Sequence, residues 1–169
     1  MNLEKLYKMQ EELDSYIWTK HKTLDKLSKE ELLDNTILAL LVEVGELANT
    51  TRCFKHWSTK GMMEKEVILD ELADVLHFYL SIGNQKNMRW EKGLTNVAEM
   101  EWFKSMSTTT LIHNMYCWAV KITSNISIYN YVGDSIYKLA INLGFTDEEI
   151  EQAYLKKHEE NYRRQREGY

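Results

Sequence analysis

Residues 35–51, NTILALLVEVGELANTT, and residues 63–82, MEKEVILDELADVLHFYLSI, decide how this chain folds. In the first, Ile37, Leu40, Leu41, Val44, Leu47 and Ala48 recur every three or four positions, the stripe of a helix that buries one face. In the second, Ile68, Leu72, Val75, Leu76 and Tyr79 do the same, and Gly83-Asn84 reads as its stop signal. Working outward, Leu3, Leu6, Tyr7, Gln10, Leu13 and Ile17 mark a first amphipathic helix, and KHWSTKG, residues 55–61, reads as a loop. Ser107-Thr108 caps a helix predicted through Ile122, and Asp134 to Leu143 forms another, ending at Gly144. Thr146 as N-cap with Glu149 three residues on is a capping box that opens a last helix. Residues 84–100 are the least regular part. With no proline and only seven glycines, the chain lacks the usual helix breakers. The expected fold is all-α, a helical bundle of about five to seven helices, in one domain spanning 1–169 without linker or repeat.

The same two segments carry the chemistry. Glu43 and Glu46 are spaced i, i+3 on the first, and Glu71 and Asp74 on the second, so each pair sits one turn apart on one side of its helix. Like charges so placed repel by a few tenths of a kcal/mol. Three and four residues away from all four acids there is no Lys or Arg, whereas Glu159 and Glu160 have Arg163 and Arg164 at i+4, the pattern of a solvated face. Acids at i, i+3 are common on solvated helices too. Two unpartnered pairs beside apolar stripes, however, can face each other across antiparallel helices, and four converging carboxylates call for a hard divalent cation. Mg²⁺ suits an all-oxygen set and bridges carboxylates to phosphates.

Composition narrows the classes further. A net charge of −5 gives no support to sequence-independent nucleic-acid binding, which needs many Lys and Arg contacts to phosphate. Cys53 and Cys117 have no paired spacing, so neither a disulfide framework nor a thiolate metal site is expected. The first turns are charged and no apolar run reaches the length of a signal or a membrane span, so a soluble, cytoplasmic protein without membrane contact is expected.

The pattern Glu43-x-x-Glu46, then 24 residues, then Glu71-x-x-Asp74 resembles the metal motif of the all-α NTP pyrophosphohydrolases, which include the dimeric dUTPases and MazG-like enzymes. Four further pieces look like the dimeric dUTPases in particular. They are Met9-Gln10-x-x-Leu13-Asp14, Phe54-Lys55-His56-Trp57, Leu76-His77-Phe78, and Tyr154-x-x-Lys157-x-x-x-Asn161-x-x-Arg164-Gln165-x-x-Gly168-Tyr169. They span almost the whole chain in family order. The sequence departs from the family pattern at His158, where an Asn often follows the Lys, and at Tyr169, where relatives continue; residues 84–100 have no counterpart.

The resemblance implies a homodimer that hydrolyses dUTP to dUMP and pyrophosphate, with dUDP open as a second substrate. It implies Mg²⁺ held by Glu43, Glu46, Glu71 and Asp74, with Glu43 or Glu46 as general base. Ten Tyr and five Trp are a surplus for one small domain and agree with a subunit interface. Gln10 and Asn161 are amides able to read the uracil edge, and Trp57 and Phe78 offer faces for stacking. A solvated Gln and core aromatics are the plainer readings of three of these. His77, one turn past Asp74, is read as a sugar contact or a supporting group, the plainer reading being a satisfied structural His. Acid-x-x-His is also a di-iron ligand pattern, but such bundles need it twice. Lys55, Lys157 and Arg164 are candidate phosphate contacts. Two other functions compete: a MazG-like or dCTP-type pyrophosphohydrolase sharing the metal motif, and a non-catalytic helical binding protein using the same amphipathic faces.

Overall fold

A computed structural model describes residues 1–91 and 101–168, which contain eight helices and no strand. These are α1 (Leu3–His21), α2 (Thr23–Lys26), α3 (Lys29–Thr51), α4 (Lys65–Lys86), α5 (Glu101–Lys104), α6 (Thr108–Ala119), α7 (Ile126–Asn142) and α8 (Asp147–Glu167). Two of them, α2 and α5, are single turns that apolar periodicity cannot reveal, so the number exceeds the five to seven expected. No helix among the described residues is long and apolar enough to cross a membrane.

Local chemistry sets most boundaries. Ser28 accepts from the Glu31 amide while the Glu31 carboxylate accepts from the Ser28 amide, a capping box that starts α3 at Lys29, eight residues before the apolar stripe begins at Ile37. Asn125 caps α7 by accepting from Ile128 N, well ahead of the expected start at Asp134. Ser107 and the Thr146–Glu149 box open α6 and α8 as read from the sequence. The helix ending at Ala119 stops short of Ile122, which is buried in a following turn. Residues 92–100, most of the irregular stretch 84–100, and Tyr169 lie outside the described residues.

The expected stop at Gly83-Asn84 is corrected: α4 runs on to Lys86 and ends at Asn87, which takes the left-handed conformation at φ 52°. Gly83 serves packing instead. The Tyr129 side chain of α7 fills the space where a Cβ would stand at Gly83, and Tyr79 of α4 fills the corresponding space at Gly133 of α7. Each helix thus offers a glycine to the other's tyrosine, and the two rings stack at 4.4 Å.

Helix α4 is the hub, packed against α1, α3, α7 and α8, while α6 bridges α3 and α7. Helices α3 and α4 run antiparallel, with Thr36 near the start of one bonded to Gln85 near the end of the other. Leu40, Val44 and Leu47 meet Ile68, Leu72, Val75 and Leu76 in the core. Each such buried side chain contributes about 1.5–3 kcal/mol relative to exposure. That packing fixes the register at which the acidic pairs face each other.

Candidate active site

Glu43 and Glu46 on α3 and Glu71 on α4 each turn a carboxylate oxygen to one place, all within 4.8 Å of one another. The spacing alone explains this: on two antiparallel helices whose stripes interlock, acids flanking the stripes converge at the seam. Neither Lys nor Arg among the described residues pairs with any of the three. Burial first, then the charges of Asp74, Glu46 and Glu71, push the half-buried Glu43 carboxyl up to about 7. Glu71 is raised by burial and by Glu46 and Asp74. Ordered oxygen ligands carrying this much mutual repulsion fit a hard divalent cation, and no soft ligand stands among them.

Asp74, the fourth acid, is turned elsewhere. Its Oδ2 lies 2.8 Å from Lys157 Nζ, and Asp70 Oδ2 lies 2.6 Å from the same nitrogen. Lys157 is buried on α8 at 3% exposure, so the charge that sequence spacing could not find on α3 or α4 arrives from the C-terminal helix. Burial raises Asp74, and the Lys157 hydrogen bond opposes that rise. Arg164, two turns along α8, is close enough to lower Asp74 as well and pairs with Glu160 at 2.5 Å. Asp70 was not singled out from the sequence, where it is one more acid among several; its signal is the partnership with a residue 87 positions away.

The remaining candidates divide. Gln10 is buried, and both ends of its amide are engaged: Nε2 donates to Asp14 Oδ1 at 2.8 Å, and Oε1 lies 2.6 Å from His77 Nδ1 and accepts from Tyr154 Oη at 2.9 Å. The reading of Gln10 as a solvated residue fails. His77 is buried too, stacked on the Tyr154 ring at 4.1 Å. Burial, then His158 and Lys157, hold its ring down to about 3, so it is neutral. Phe78 is half-buried and packs against the core. Asn161 is half-buried on α8, four residues past Lys157 and on the same side of the helix. Trp57 stands 68% exposed in the loop between α3 and α4, edge-on to Phe54 and His56, and Lys55 lies over the Phe54 ring at 5.3 Å. The structure therefore gathers Glu43, Glu46 and Glu71, sets Asp74, Lys157 and Arg164 beside them, and leaves Trp57 and Lys55 on a separate exposed loop.

No curated protein matches the chain. A protein-family model described as dUTPase matches residues 2–169, so the chain belongs to the dimeric all-α dUTPase family and is a dUTP diphosphatase.

Proposed function

We propose that the chain cleaves dUTP to dUMP and pyrophosphate with Mg²⁺ held by the acids of α3 and α4, within a fold of the all-α NTP pyrophosphohydrolase type. The observation that carries this reading is the convergence of Glu43, Glu46 and Glu71 without a cationic side chain between them. Glu43, Glu46, Glu71 and, once released from Lys157, Asp74 would hold the metal. When bound, such an ion neutralises triphosphate oxygens and acidifies the attacking water. Glu43 is the general base in this reading, because it is half-buried and faces the other acids, whereas Glu46 is exposed. It takes the proton of the water that attacks the triphosphate, and the bond to the departing pyrophosphate breaks. Lys157 and Arg164 stand on the adjacent helix, placed to stabilise charge building on the phosphates.

Base recognition falls to Asn161, with an amide edge for uracil, and to Trp57 and Phe78 for stacking. Trp57 and Lys55 are exposed or half-buried in an apolar loop with Phe54, Met62 and Met63 also exposed, a surface suited to contact with a second copy of the chain or with bound nucleotide. The working state in this reading is a cytoplasmic homodimer.

Turnover of dUTP, dCTP, dTTP and UTP with and without Mg²⁺ tests the proposal. Expected is Mg²⁺-dependent release of pyrophosphate with dUTP preferred. Equal rates on dCTP would favour the dCTP-type reading, and turnover indifferent to Mg²⁺ would end the metal assignment.

A further inference from the structure

Three of the four acids at the α3–α4 seam converge, and the fourth is withheld. Asp74 stands one turn along α4 from Glu71, yet its Oδ2 lies 2.8 Å from Lys157 Nζ. The same ammonium meets Asp70 Oδ2 at 2.6 Å. Asp70 and Asp74 are four residues apart, so they sit on one side of α4 and share a single cation arriving from α8. Lys157 is buried at 3% exposure, and no other carboxylate among the described residues pairs with it. Two acids of α8 are engaged elsewhere, Glu149 with Lys65 and Glu160 with Arg164.

One carboxylate would be enough to neutralise Lys157, and the second has a consequence for Asp74. A buried cation stripped of its last counter-charge is strongly disfavoured, whereas one of two partners is exchanged at much smaller cost. Held by Asp74 alone, Lys157 would lock that carboxylate in place. With Asp70 beside it, the ammonium keeps a full counter-charge when Asp74 turns away. Asp70 is itself no member of the converging set, and it borders a cleft between α4 and α8 that none of Glu43, Glu46 and Glu71 lines.

We propose that Asp70 is a positioning residue for the metal site: it holds Lys157 while Asp74 gives up the ammonium, and so lets Asp74 join Glu43, Glu46 and Glu71 around a divalent cation. The inference rests on the reading of those acids as a metal site. In the metal-free protein Lys157 is then a built-in competitor for Asp74, and Asp70 weakens the competition. If Asp70 acted only as one more anion near the cation, its effect would be the same with or without Lys157.

Binding of Mn²⁺, which takes the same oxygen ligands as Mg²⁺, to the full-length, nucleotide-free protein tests this. Electron paramagnetic resonance counts the free ion, and no turnover is involved. Asp70→Asn keeps the shape and an acceptor but removes the charge, and should weaken Mn²⁺ binding about fivefold, a coupling of the size found between residues in direct contact. Lys157→Met frees Asp74 and should tighten binding about fivefold. Added to Lys157→Met, Asp70→Asn should change the affinity by less than about twofold. If Lys157→Met does not fold, Lys157→Gln, of similar length and uncharged, completes the cycle.

An Asp70→Asn variant that binds Mn²⁺ as tightly as the wild type overturns the proposal, and so does a loss that is equal with and without Lys157, or a Lys157 variant that binds no tighter than the wild type. Glu71→Gln measured alongside separates the two failures. If it keeps full Mn²⁺ affinity, the carboxylate site itself is misassigned. If it loses binding while the Asp70 effect persists without Lys157, only the positioning role falls.

Discussion

Two regions of helix α4 are built under opposite rules. Toward α7, each polar proton has a destination: Tyr79 Oη donates to the Tyr129 carbonyl, Tyr129 Oη donates to the Tyr79 carbonyl, and Trp90 N donates to Tyr7 Oη. With Tyr129 thus committed as a donor, Tyr7 Oη is left to donate to it across their 2.7 Å contact. Toward α3, the same helix holds Glu71 against Glu43 and Glu46, and toward α1 and α8 it carries His77 with a buried nitrogen unmet. Satisfied polar networks stabilise and specify a fold, whereas like charges and bare acceptors cost stability and persist where another molecule completes them. The contrast supports the proposal that the active site lies at the α3–α4 seam.

The largest effect should come from deleting one member of the repelling set. Glu46→Gln or Glu71→Gln is expected to lower kcat for dUTP by at least about a hundredfold, while the metal-free melting temperature holds or rises because repulsion is relieved. A variant that melts lower and retains near wild-type turnover at saturating Mg²⁺ breaks the comparison, since Glu71 would then be structural like Tyr79. On the α7 side the signs reverse. Gly83→Ala puts a methyl group where Tyr129 already stands and should cost about 1–3 kcal/mol of stability as an overpacked contact. Activity per folded molecule should stay within about twofold, for a substitution remote from the acids. Denaturant titration and active-site counting together decide it.

What the sequence discloses follows the range of the interaction. The Thr146–Glu149 box and the Ser107 cap are complete within four residues, so they can be read from the letters and recur in the structure. The apolar stripes of α1, α3 and α4 are equally local, and so are the two i, i+3 acid pairs. Gly83 shows the limit: a glycine before an asparagine is a stop signal by local chemistry, yet here it is a packing site because Tyr129 lands on it from another helix. Asp74 is similar, grouped with the other acids by spacing but turned by Lys157 toward α8. Gln10 looks like a polar residue on an amphipathic helix, and only the closure of His77 and Tyr154 over it makes it a buried hub.

Lys157 joins the two regimes, since it is a buried cation meeting two acids at the edge of the repelling set. Lys157→Met leaves Asp70 and Asp74 without their partner. Both are partly exposed, so the loss should be about 1–2 kcal/mol at pH 8, less than for a fully buried pair. At pH 5 it should shrink, because Asp74, already raised by burial, protonates more readily once the cation is gone. Equal losses at the two pH values would show that the loss does not come from the charges of the two carboxylates.

The smallest effect is the most specific to the α3–α4 seam. Glu43 ionises near 4.5 in an unfolded chain and at about 7 in the fold, so the metal-free folded state binds the extra proton between those values. The stability Glu43 contributes is therefore fully present below about pH 4.5 and is lost as pH rises through about 7. His77 slopes the other way. Its ring is held neutral in the fold down to about 3, so raising the pH toward 6.5 favours folding. The two trends overlap, and a bare stability profile would hide both. The difference between wild type and Glu43→Gln isolates the first, because His77 is common to both proteins. That difference should grow by about 1 kcal/mol between pH 4.5 and 8 in favour of the variant, after allowing for solvent screening of a half-buried group. Saturating Mg²⁺ should reverse its sign, since the cation binds the ionised carboxylate and only the wild type supplies it. A difference that stays flat with pH in the metal-free protein would mean that Glu43 is fully solvated, and the general-base assignment would lose its physical ground.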